Sequence, residues 1–254
     1  MSRMESWVNI FGDKPRPMES KAVVGSPGLR SIGKLAIEFM INQLKPRLTG
    51  ELLSHYFPIA YPFSASYVSS PMYLGESGVF IEGTTKVPRI EFYVEEKLGL
   101  VLVKGYQADF NGQYEVAREA VNFLKELGVK EIISLAGHGQ GGKGVHCAAT
   151  SIDRVNGLKS QGLDTGYVGP FLGFSGLVIG IGKTEGIDGI CLFGKTEPIQ
   201  EEPEFPDFLA AKTVLDVLKI ILNLNIDTSS LEKAKSEDIS RSVNFGKQNN
   251  RRTV

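Results

Sequence analysis

The chain has 254 residues, of which 42% are hydrophobic and 22% charged, with 28 basic against 29 acidic side chains. This size and balance give one large domain or two small ones with a full core, and exclude global disorder and the positive field of a nucleic-acid or anionic-membrane binder. Two cysteines, Cys147 and Cys191, exclude a disulfide framework and a cysteine-rich zinc site, and 29 glycines are the one unusual count.

Residues 1–20 read as an N-terminal extension, with a short strand over Trp7–Phe11 ahead of Pro15 and Pro17. No stretch has the pattern of a signal peptide, and none approaches the ~18 apolar residues of a membrane span. Together with cysteines in apolar or small-residue company, this makes the cytoplasm the expected location. Ala22-Val23-Val24 is a short buried strand closed by Gly25-Ser26-Pro27-Gly28. A helix follows over Ser31–Leu44, with Ile32, Leu35, Ala36 and Phe39 near the helical period, Ser31 as N-cap and Pro46 as stop.

A block of strands comes next: Gly50–Phe57, Gly78–Glu82, Ile90–Glu95 and Leu98–Val103, the last two as a hairpin. Between them Pro58–Pro71 is a loop rich in Tyr, Ser and Pro. Gly112–Leu127 is the best helix, with Ala117, Ala120, Val121 and Leu124 on one face and Gly128 as its stop. Glu131–Ala136 reads as a strand, then a glycine-rich loop, then a strand over His146–Ser151 and a short helix over Asp153–Gly162. Gly173–Phe193 is ambiguous between strand and a buried helix followed by a strand at Gly189–Phe193. Pro198–Pro206 is an acidic loop, and Asp207–Leu222 is a firm helix. Ser229 and Glu232 form a capping box for a polar helix to about Ser242. The alternation predicts a single α/β domain over residues 21–226 with a largely parallel sheet and helices on both faces. A C-terminal helix over 227–243 and a polar tail over 244–254, expected to be disordered, complete the chain.

Gly25-Ser26-Pro27-Gly28-Leu29-Arg30 follows a strand and opens a helix, an arrangement that offers free N–H groups and a positive helix end to an anion. It resembles the Gly-Asp-Pro-x-Arg phosphate loop of nucleoside phosphorylases, departing at Ser26 and with Arg30 one place late. The plainer reading is a tight turn that requires glycine. Gly137 to Lys143 has the Gly-x4-Gly-Lys spacing of a P-loop, but Gly144 replaces the magnesium-binding hydroxyl and a strand follows where a helix is needed. The plainer reading is a loop between two strands. His55, His138 and His146 have no metal-binding spacing, so no metal or other cofactor is expected; His138 is the one to test as an acid or base. Gly173-Phe174-Ser175-Gly176 misses the nucleophile elbow, so no catalytic residue is assigned.

The succession of segments resembles the proteasome assembly chaperone family in its archaeal and bacterial form. The resemblance covers about residues 20–225. It is carried by the Gly25–Gly28 loop with Ile32-Gly33-Lys34-Leu35-Ala36, by Pro88–Tyr93, by Val101–Gln107, by Gly112–Ala117, by Glu126–Lys130 and by Gly137-His138-Gly139. Ile187–Gly194 and the helix over Ala210–Leu222 fit the same layout. The resemblance implies a three-layer α/β/α sandwich with a mostly parallel mixed sheet, related to the phosphorylase/hydrolase-like fold. It also implies homo-oligomers and, for archaeal members, binding to proteasome subunits. Members that dock by the tail end in a hydrophobic residue, tyrosine and any residue; the last residues here are Arg252, Thr253 and Val254.

Two functions follow as expectations. The first is a non-enzymatic homo-oligomeric chaperone or scaffold whose partners include proteasome α subunits, with Tyr61, Phe63, Tyr67, Met72 and Tyr73 as the protein-contact loop. The second is a small-ligand or phosphate-binding enzyme with a pocket at the strand ends, built from Gly25, Gly28, Arg30, Gly105, Gln107, Gly137, His138 and Gly139. Neither involves nucleic acid or a membrane. On the first expectation, replacing Tyr67 and Tyr73 together by alanine weakens self- or partner association while the fold survives. Light scattering checks this, and an unchanged mass with unchanged partner binding refutes it.

Overall fold

The computed structural model describes residues 5–13, 19–58, 80–81, 84–85, 87–166, 169, 173–200, 203 and 205–232. In chain order the elements are β1 (Ser6–Ile10), β2 (Ser20–Gly25), α1 (Ile32–Leu44), β3 (Arg47–Ser54), β4 (Phe80–Ile81), β5 (Thr84–Thr85), β6 (Ile90–Glu95), β7 (Leu100–Lys104), α2 (Gln113–Glu126), β8 (Val129–His138), β9 (Val145–Ala149), α3 (Ile152–Ser160), α4 (Phe174–Thr184), β10 (Asp188–Lys195) and α5 (Phe208–Leu222). Eight strands form one mixed sheet in the order β1-β3-β6-β7-β2-β8-β10-β9, while β4 and β5 pair separately.

The central strands are apolar on both faces because helices cover both. Ala22, Val24, Val101, Val103 and Ile132 point to the layer of α2 and α4. Val23, Leu100, Leu102, Ile133 and Leu135 point to the layer of α1 and α5. This period-2 division gives two cores, one on each side of the sheet. Parallel pairing is confined to β7, β2, β8 and β10. The outer junctions, β1 to β3, β3 to β6, β6 to β7 and β10 to β9, are antiparallel, so the expectation of a largely parallel sheet holds only for the centre. The cause is local. A single turn of 3-10 helix over Glu96–Leu98 with Gly99 closes β6 onto β7 as a hairpin, and hairpins pair antiparallel.

The segment read as an N-terminal extension contributes β1, which pairs with β3 from Ser6↔Ser54 to Ile10↔Gly50 and forms one edge of the sheet. The ambiguous stretch resolves into α4 followed by β10. Ser31 stands at the N-cap of α1 but makes no capping bond, and its backbone is left-handed, with φ 51°. Asp207 caps α5 by accepting from the Ala210 N–H at 3.0 Å. Of the helix expected after Ser229, the described residues hold only the start, where Ser229 Oγ donates to Asp227 instead of capping. The remainder of that helix and the tail over 244–254 lie outside the described residues.

Both cysteines are buried and free. They sit on adjoining strands, but Cys147 faces the α1 and α5 side and Cys191 the α2 and α4 side. Opposite faces of a sheet cannot be bridged by a disulfide. Burial pushes the Cys147 thiol up to about 11, with the charge of Asp164 adding to it. Burial raises Cys191 to about 12. The thiolate is the reactive form, so native protein at pH 7.5 is expected to resist iodoacetamide at both positions and to take two equivalents once unfolded. Mass spectrometry of the alkylated chain checks this; rapid labelling of the native fold refutes it.

Candidate functional site

The carboxyl ends of β2, β7 and β8 meet where an α/β sheet ordinarily holds a ligand. Here the backbones approach more closely than side chains permit. A Cβ on Gly25 would lie 2.1 Å from the Gly33 carbonyl oxygen, and a Cβ on Gly33 would lie 2.3 Å from the Leu135 carbonyl oxygen. The first turn of α1 therefore rests directly on the strand ends. Between them the chain reverses through Ser26-Pro27-Gly28 and two left-handed residues, Arg30 (φ 53°) and Ser31 (φ 51°). Such a conformation costs a non-glycine residue roughly 1–3 kcal/mol and persists only where its surroundings enforce it.

Arg30 supplies that enforcement. Its N–H donates to the Pro203 carbonyl at 2.6 Å, and its own carbonyl accepts from the Asp207 N–H at 3.0 Å. Its guanidinium donates through Nε to the Phe205 carbonyl at 2.7 Å and through Nη1 to the Glu197 carbonyl at 2.5 Å. The group expected to face a phosphate thus grips the main chain of the segment leading into α5.

Gln107 occupies the other side of the loop. Its Nε2 donates to the Pro27 carbonyl at 2.7 Å, and its Oε1 accepts from the Phe174 N–H at 3.0 Å, at the start of α4. Ser26 Oγ and Ser175 Oγ share a hydrogen bond of 2.7 Å, and Ser134 Oγ donates to the Ser175 carbonyl at 3.1 Å. All three serines are buried. A Cβ on Gly105 would lie 2.7 Å from the Phe174 ring. Seven of the eight residues expected to form a pocket are gathered around the loop over residues 25–31, all but His138. Gly25, Gly105 and Gln107 lie beside Ser26, and Gly28 accepts from the Ser31 N–H. Gly137 and Gly139 lie against Leu29.

His138 is the last residue of β8, not part of the loop after it. Its ring packs 5.8 Å from that of His146 and 6.4 Å from that of Phe193, and its enclosed Nε2 has no hydrogen-bond partner among the described residues. His146 Nδ1 lies 2.8 Å from Asp164 Oδ2, which also holds Lys195 Nζ at 3.2 Å. Among the described residues no group of three or more His, Cys, Asp or Glu could hold a metal ion. The glycine-rich loop crosses the end of β10 to reach β9: Gly141 N–H donates to the Thr196 carbonyl and Lys195 N–H to the Gly144 carbonyl. Gly141, Gly142 and Gly144 all have positive φ, which the crossing requires and only glycine adopts at no cost.

Tyr61, Phe63, Tyr67, Met72 and Tyr73 lie outside the described residues. The chain enters that segment from Pro58, whose carbonyl accepts from the Tyr106 hydroxyl at 2.9 Å. Asp109 N–H donates to the neighbouring Tyr56 carbonyl. Phe110 on the turn that follows and Tyr114 at the start of α2 are 79% and 69% exposed. Neither is marked by sequence pattern, since helical spacing aligns Tyr114 with the inward Ala117 and Val121. Nor does sequence pattern mark Ser134 or the roles of Ser26 and Ser175, whose partners are distant in the chain.

The PAC2 family model matches residues 22–244. The chain belongs to the PAC2 family. Among solved PAC2-like structures, PbaB of Pyrococcus furiosus, an archaeal proteasome activator, is 27% identical, with a TM-score of 0.75 over 94% of this chain and 99% of that one. PbaA of the same organism, an archaeal homolog of proteasome-assembly chaperone, is 25% identical, with a TM-score of 0.72 over 96% and 94% of the two chains. An uncharacterized protein of Methanocaldococcus jannaschii is 29% identical over 229 residues, spanning 85% of this chain and 80% of its own. The three-layer arrangement of the PAC2 chain, a mixed eight-stranded sheet between two helical layers, is therefore that of its relatives.

Gln107 connects the β2 loop to α4, and its removal strands the Phe174 N–H. Each buried group left unpaired costs about 1–3 kcal/mol. Gln107→Ala is therefore expected to destabilise the fold by about 2–4 kcal/mol and to lower the melting temperature by roughly 5–15 °C. Calorimetry checks this; a shift below a degree refutes the anchoring role.

Proposed function

We propose that this chain is a non-enzymatic, homo-oligomeric chaperone or scaffold that binds proteasome subunits in the cytoplasm. The observation that carries the reading is the PAC2 match over residues 22–244, joined by PbaB and PbaA, which align over nearly their whole length. The state of the strand-end crevice supports it. Arg30 and Gln107, two of the three polar side chains expected to meet a ligand, are committed to main-chain groups of the chain itself. Phe110 and Tyr114 are suited to holding a protein partner, because exposed aromatic side chains make effective anchors at protein interfaces. No helix of the described residues is long and apolar enough to cross a membrane.

The test is light scattering on a sizing column, with the protein alone and then mixed with 20S proteasome α subunits of its own source. The expected result is a discrete oligomer that co-elutes with α subunits, and a loss of co-elution by roughly tenfold or more in affinity when Phe110 and Tyr114 are both replaced by serine, the effect of one or two anchors. A monomer that ignores the α subunits refutes the proposal. A rise in melting temperature with phosphate, nucleosides or nucleotides would shift the reading to a small-ligand enzyme, because a ligand specific for the folded state must stabilise it.

A further inference from the structure

At the opposite, amino end of the sheet lies a second polar site. Lys21 on β2, Glu131 on β8 and Asp188 on β10 stand side by side in register across three strands. They share the parity of Val23, Ile133 and Ile190, so they lie on the α1 and α5 face. Glu131 is buried, and its carboxylate holds Lys21 Nζ at 3.0 Å and, on its other oxygen, the guanidinium of Arg154 from the first turn of α3. One buried carboxylate therefore serves two cations, and the trio keeps a positive charge. Burial, and after it the charge of Arg154, pull the Lys21 ammonium below its ordinary value.

These residues line an open cleft of about 460 Å3 with Glu19, Ser20 and Lys130. Two buried donors on its lining residues have no partner among the described residues: the hydroxyl of Ser20, which is 4% exposed, and the enclosed Nε of Arg154. Buried donors without partners are costly and mark places where something else completes the bonding. The exposed Glu19 and Asp188 stand at the rim. The exposed Lys130 stands beside them, so the mouth carries both signs of charge. A molecule with a carboxylate at one end and an ammonium beside it satisfies both.

We propose that this cleft binds a free α-amino acid by its zwitterionic end. The carboxylate meets Ser20 Oγ, Arg154 Nε and the surplus positive charge of Lys21 and Arg154. The ammonium meets Asp188 and Glu19, and the side chain projects through the open mouth. The site is remote from the strand-end crevice and does not depend on the proteasome reading.

The test is thermal shift and titration calorimetry on the full chain with each of the twenty free amino acids. The controls are N-acetyl and amide derivatives, inorganic phosphate, and a short peptide with a free C-terminus. At a ligand excess of about 100-fold over Kd, a binder is expected to raise the melting temperature by roughly 5–10 °C. Its N-acetyl and amide forms, each lacking one charge, are expected to lose the shift. Ser20→Ala removes a hydroxyl with no protein partner and Asp188→Asn changes an exposed side chain, so both variants fold; each is expected to weaken binding by about tenfold or more, the worth of a charged hydrogen bond. No shift with any amino acid overturns the proposal. Equal shifts with phosphate, with the acetylated forms or with the peptide also overturn it, since they mean a plain anion or a chain terminus is recognised. Unaltered binding in both variants overturns the placement.

Discussion

The architecture turns on the contact of Gly25, Gly33 and the Leu135 carbonyl. No side chain fits between β2, α1 and β8 at that point, so the helix settles onto the sheet at backbone distance. Once α1 is seated there, the chain between Gly25 and Ile32 has only a few residues in which to reverse. It does so by placing Arg30 and Ser31 in left-handed conformations. The segment before α5 then has its position set by Arg30, whose main chain and side chain together make four hydrogen bonds to it. Gln107 and the Ser26–Ser175 pair complete the other flank by tying β7 and α4 to the same loop. A single steric allowance thus organises both helical layers.

Much of this was legible in the sequence. Strongly periodic segments such as those of α2 and α5 and the apolar runs of β2 and β8 announce themselves, because their burial depends on neighbours at fixed spacing. Gly25, Gly28 and Gly33 were visible as a strand-to-helix turn. What escaped was set by distant partners. β1 looked like part of an extension because the strand it pairs with begins only at Arg47. Ser31 looked like a cap, yet the geometry there is dictated by Pro203 and Asp207, far along the chain. Most of the candidate pocket residues do converge, but the direction of the Arg30 guanidinium and the bonding of Gln107 to Pro27 and Phe174 are tertiary facts. Likewise Lys21, Glu131, Arg154 and Asp188 have no common motif; only strand register and the return of α3 assemble them.

The two ends of the sheet differ in physical character. At the carboxyl end, Arg30, Gln107 and the three serines pair with one another and with carbonyls of the chain, while His138 Nε2 has no partner among the described residues. At the amino end, one buried carboxylate is shared by two cations, and two donors are left over. In an α/β fold the first end is the usual place for chemistry. In this PAC2 chain that end serves as an anchor for helices, while the amino end retains the open, charged surface.

The strand order carries a consequence for how the molecule is made. β2 is flanked by β7 and β8, so Val23 must wait for Leu102 on one side and Ile133 on the other. During synthesis the apolar strand β2 and the inward face of α1 emerge long before either neighbour exists. Non-local pairing of this kind folds slowly and leaves hydrophobic edges uncovered in the interval. The chain therefore cannot complete its central sheet until more than half of it has been made.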